Sequence, residues 1–75
     1  MNDNRLAVTT YLRLATKLTD SAEVTDLIAG RMANIAMVID PNMKLHWVVS
    51  REHALRARAD RLEAAALLRE AARLS

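Results

Sequence analysis

Two histidines, His46 and His53, three serines, one tyrosine and nine carboxylates are all the chain offers for acid–base, nucleophilic or metal chemistry. Catalysis needs a nucleophile or base within hydrogen-bond reach of a third, orienting group. No such spacing occurs here. His46 and His53 stand seven residues apart, with Glu52 adjacent, and would share a face only if one helix ran through both. Two imidazoles and one carboxylate form the most generous zinc reading the residues permit. With no cysteine, thiolate sites and disulfides are excluded, and with Gly30 as the single glycine there is no phosphate-cradling loop. The expectation is a non-enzymatic protein with no cofactor, no metal and no small-molecule substrate.

Nucleic-acid binding is the next chemistry to weigh. The net charge of +2 is uneven: residues 1–43 carry −1 and residues 44–75 carry +3. On a helix, Arg51, Arg58, Arg69 and Arg73 fall on one strip, with Arg61 not far round, and such a strip can track phosphates. Glu52, Glu63 and Glu70 occupy the neighbouring strip, so solvation or pairing with acids competes with that use. Tyr11 and Trp47 are the only aromatics. Single-strand binders stack bases on several rings, which argues against that class, and Trp47 is expected in the core. A DNA-binding regulator using Arg51, Arg58, Arg61, Arg69 and Arg73 therefore stands second.

The elements that must position these residues are helical over most of the length. Ala7, Val8, Tyr11, Leu14, Ala15 and Leu18 recur at steps of three and four, predicting a first helix over residues 4–18. Leu18-Thr19-Asp20-Ser21 breaks that pattern, and Asp20 with Glu23 resembles a capping pair that starts a second helix near Ser21. Val24, Leu27, Ile28, Met32 and Ile35 continue it to about Asn34. Gly30, flanked by Ala29 and Ala33, reads either as simple tolerance or as a close helix crossing.

Residues 35–50 allow two structures. Met43, Leu45, Trp47 and Val49 alternate with Lys44, His46, Val48 and Ser50 after a turn-like Asp40-Pro41-Asn42, which reads as a β-hairpin pairing 36–39 with 43–49. Alternatively, Asp40-Pro41 opens one helix running from Pro41 to Leu74. The final stretch is less ambiguous: in residues 54–74, eighteen of twenty-one are Ala, Leu or Arg, all good helix formers. The fold expected is α+β and helix-dominated, with two N-terminal helices, a short β-hairpin and one long C-terminal helix. The alternative is an all-α three-helix bundle with a long third helix.

That last helix carries two apolar sets. Leu55, Ala59, Leu62 and Ala66 form a seam edged by Arg51 and Arg58 on one side and Glu63 and Glu70 on the other, so two copies could pair across opposite charges. Ala64, Leu67, Leu68, Ala71 and Leu74 lie on another side. The expectation assigns Leu55 and Leu62 to the chain's own core, because they adjoin Trp47 in sequence. It assigns Leu67, Leu68, Ala71 and Leu74, with Arg58 and Glu63, to a partner. Seventy-five residues make one domain, residues 1–75, near the lower size limit for independent folding. Without disulfide or metal, self-association is the natural way to add buried area. A homodimer or another protein partner follows. No apolar run exceeds five residues, and with no export signal and no cysteine the expected compartment is the cytoplasm.

Overall fold

In a computed structural model the chain forms two helices, α1 (Asn2–Ile39) and α2 (Lys44–Leu74), folded back on each other as a helical hairpin. The structure describes residues 2–39, 41–42 and 44–75, with side chains from Asn4 onward at those positions. The Cα backbone traces a rod 59 Å long with a cross-section of 13 × 12 Å.

The seam between the helices is made of alanine. Ala15, Ala22, Ala29 and Ala36 on α1 and Ala57, Ala64 and Ala71 on α2 are all buried, each row repeating every seven residues. A seven-residue repeat keeps one stripe facing the partner only if the helices wind around each other with a left-handed supercoil. The nearly square cross-section agrees with that winding. An untwisted pair would be wide in one direction and, with Cα atoms about 2.3 Å from each axis, barely one helix thick in the other. The same radius places the axes roughly 8 Å apart within 13 Å, the close end of helix packing. A single methyl group per layer is what permits it.

A second row completes the seam. Tyr11, Leu18 and Met32 of α1 and His46, His53, Asp60, Leu67 and Leu74 of α2 are half-buried, and Thr25 is buried. Ser50 stands seven residues before Ala57 in the alanine row, and its hydroxyl donates to the Ala29 carbonyl across the interface at 2.8 Å. That bond pairs position 50 with position 29. Counting outward by sevens in opposite directions brings Ala57 near Ala22, Ala64 near Ala15, and Ala71 near Val8.

The expected α+β fold is corrected: the described residues contain no strand, and of the two expectations only the all-α class is compatible, with two helices in place of three. No break occurs at residues 18–21. The stretch holds neither glycine nor proline, the alanine row runs through it from Ala15 to Ala22, and the hydroxyls of Thr19 and Thr25 donate to the carbonyls of Ala15 and Ser21 four residues back. Such back-bonding lets threonine sit inside a helix instead of capping a new one.

The predicted β-hairpin is helix on both sides of its turn. Ala36 is fully buried in the alanine row, and His46, Val49, Ser50 and His53 share one helical face toward α1. An isolated two-stranded ribbon is marginal in water, whereas continuing each helix extends a seam already in place. Pro41 and Asn42 turn the chain, and Trp47 Nε1 donates to the Pro41 carbonyl at 2.8 Å. Asp40 and Met43, also part of the predicted turn and second strand, lie outside the described residues. Trp47 is 38% exposed, a clasp on the turn and not the core residue expected. Neither helix is long and apolar enough to cross a membrane.

Candidate interaction site

Because the seam is alanine, the larger apolar side chains are left outside. Among the described residues no large side chain is fully buried, while sixteen large hydrophobic residues are exposed. Their distribution defines the candidate site.

On the side of α2 turned away from α1, Leu45, Val48, Leu55, Ala59, Leu62 and Ala66 follow at steps of three and four, with Glu52 the one polar interruption. Leu45 is 72% exposed, Leu55 54% and Leu62 63%. The spacing is that of a coiled-coil seam. Arg51 and Arg58 border it on one side and Arg56, Glu63 and Glu70 on the other. The outer face of α1 is more polar, with Arg13, Lys17, Asp20, Glu23, Arg31 and Asn34 breaking up Leu6, Val24 and Leu27.

The two apolar sets of the last helix are thus distributed the other way round from the sequence expectation. Ala71 is buried, and Leu67 and Leu74 are half-buried, all against α1, while Leu55 and Leu62 face solvent. Leu68 is exposed at one flank of the hairpin, on the side of Trp47. Arg58 and Glu63 are exposed on opposite borders of the outer seam. Leu45 and Val48 are members of that seam which the strand reading concealed; steps of three and four running back from Leu55 are the signal that finds them.

The arginine strip is partly engaged within the chain. Arg61 forms an ion pair with Asp26 of α1, and Arg73 forms one with Glu70. Hydrogen bonding from Arg73, aided by its charge and opposed by slight desolvation, holds the Glu70 carboxyl below the ordinary glutamate range; Glu70 in turn raises the Arg73 guanidinium. Arg51, Arg58 and Arg69 are exposed along α2.

One helix does run through both histidines, so His46 and His53 share the α1-facing side about two turns, or roughly 10 Å, apart. His53 Nδ1 lies 2.8 Å from the Val49 carbonyl, which can only accept, so Nδ1 carries the proton. His46 Nδ1 is buried with no hydrogen-bond partner among the described residues. Among those residues no three His, Asp or Glu side chains converge as a metal site would require. Set against family models, curated proteins and solved structures, the chain has no significant match in any of the three.

Proposed function

We propose that this chain is a non-enzymatic interaction module that works as a homodimer, with the C-terminal helix α2 supplying the contact. The observation that carries the reading is the mismatch between a seam of alanine and a surface of leucine, isoleucine and valine. Among the described residues the fully covered part of the seam is alanine, and its larger members, Tyr11, Leu18, Met32, Leu67 and Leu74, are only half-buried. The accessible surface shows the same deficit. A compact monomer of this mass exposes about 4,600 Å² by the general scaling, and this hairpin exposes 5873 Å². The surplus, roughly 1,200 Å², exceeds the ~800 Å² that each partner contributes to a standard protein interface.

A second copy supplies a matching apolar surface without any further component, and closed two-fold pairing is the commonest form of self-association. The absence of cysteine suits a reducing compartment, and we place the protein in the cytoplasm. Light scattering and sedimentation over the micromolar range test the reading. A particle of twice 8.4 kDa, dissociating on dilution with loss of helicity, is expected. A stable helical monomer at all concentrations overturns it.

A further inference from the structure

We infer that two copies join through the outer seam of α2 in antiparallel orientation, around a two-fold axis that passes between Asp60 and Arg61. The inference rests on the self-association proposed above and specifies its surface, direction and register. On the outer side of α2 this seam carries four consecutive apolar positions, Leu55, Ala59, Leu62 and Ala66, with charged residues along both borders. Its core residues from Leu55 to Ala66 alternate leucine and alanine as Leu55, Ala59, Leu62, Ala66. Antiparallel pairing sets Leu55 opposite the partner's Ala66, and Ala59 opposite the partner's Leu62. The two-fold axis repeats both layers. Each layer matches one large side chain with one small one, so the helices interdigitate without a void or a clash.

Charge selects direction and register together. In the antiparallel arrangement Glu52 falls opposite the partner's Arg69 at the ends of the apolar run, and Arg56 opposite the partner's Glu63 at its border. The axis doubles each pair, giving four attractive contacts. Arg51 and Arg58 meet the partner's Ala72 and Ala65, so no like charges face one another on that border. Parallel pairing in register would set Glu52 against Glu52 and Arg69 against Arg69 inside the seam, and Arg51 against Arg56 beside it. Sliding the antiparallel pair by one heptad sets Ala59 against the partner's Arg69 or Leu55 against the partner's Ala59. The first buries a guanidinium in the seam with no carboxylate facing it, and the second sets Glu52 against the partner's Leu62 and Arg69 against the partner's Leu45. Arg61 is held by Asp26 on the other side of α2 and stays out of the contact.

The test uses the cysteine-free background. Leu55→Cys and Ala66→Cys are made as separate variants and mixed in a glutathione redox buffer. A disulfide requires Cα atoms within about 7 Å. In the antiparallel register positions 55 and 66 meet, whereas each position lies eleven residues, roughly 16 Å, from its own copy. A covalent dimer is expected from the mixture and from neither variant alone. Links within single variants mean parallel pairing and overturn the inference. A dimer by sedimentation that links in no combination also overturns it, since another face must then hold the copies together, while the self-association reading survives. A monomer by sedimentation removes both.

Charge reversal gives an independent readout that leaves the apolar layers intact. Arg56→Glu alone and Glu63→Arg alone each convert two attractive contacts into repulsions. Each should weaken dimerisation about tenfold, and an equimolar mixture should recover it by forming heterodimers. Equal affinities for the single variants and the mixture would place Arg56 and Glu63 away from the contact.

Discussion

The Ser50 hydroxyl donates to the Ala29 carbonyl at 2.8 Å, tying the first full turns of α2 to the last turns of α1. Ser50 is the polar member of the seven-residue row among the described residues, and its bond marks the register of the whole seam. Replacing it by alanine keeps the close packing and removes only the bond. Ser50→Ala should cost about 0.5–1.5 kcal/mol, read as a lower denaturation midpoint in urea with unchanged slope. A stabilised variant would mean that alanine packing outweighs the bond.

Alanine is required where the helices touch. Ala22 is fully buried and faces the Ala57 layer, so Ala22→Leu inserts three carbon atoms where the axes lie about 8 Å apart. A loss of roughly 1–3 kcal/mol is expected from overpacking. Leu27→Ala, at a residue 66% exposed on the outer face, is the control and should change stability by less than about 0.5 kcal/mol. Chemical denaturation of the pair checks this.

Gly30 is not a crossing point. A methyl group built there meets nothing within 4 Å, and the residue is exposed beside the buried Ala29. Gly30→Ala therefore gains helix propensity and restricts the unfolded chain without a clash. It should stabilise by about 0.4–1 kcal/mol, seen as a raised thermal midpoint. A destabilised variant would reveal a partner packed on Gly30.

His46 places a buried Nδ1, with no hydrogen-bond partner among the described residues, at the turn end of the seam near Met32 and Val49. Leaving such an atom unsatisfied costs about 1–3 kcal/mol, so His46→Leu should leave the hairpin equally stable or more so. Thermal melts of the two proteins decide. A clear loss of stability would show that Nδ1 is satisfied in solution.

Two of the five arginines in the predicted phosphate-tracking strip are engaged, Arg61 with Asp26 and Arg73 with Glu70. Binding to duplex DNA should be weak and independent of sequence. It should disappear by about 200 mM salt, because counterion release drives it. Fluorescence anisotropy with two unrelated duplexes tests this, and tight, sequence-dependent binding at that salt would promote the regulator reading.

Residues 54–74 are legible as helix from composition alone, because alanine, leucine and arginine lose little on becoming helical. The alanines at 15, 22, 29 and 36 and at 57, 64 and 71 are also legible as a repeat, once the period sought is seven and the residue is small. Searching for bulky apolar residues hides them, since leucine and isoleucine dominate such a search and here lie outside. Residues 43–49 satisfy a period of two and a helical period at once, so local pattern does not choose between strand and helix there.

The amino-acid order by itself determined that the chain would be rich in helix, lack thiol and phosphate-loop chemistry, and carry two apolar stripes on its last helix. Only the tertiary structure decided which stripe turns inward. Both have helical spacing, and neither propensity nor hydrophobicity ranks one above the other. The choice falls to the row holding Ala57, Ala64 and Ala71, because their single methyl groups let α2 approach the matching alanines of α1. A row led by Leu55 and Leu62 would hold the helices apart, and in the folded hairpin it is therefore left facing outward.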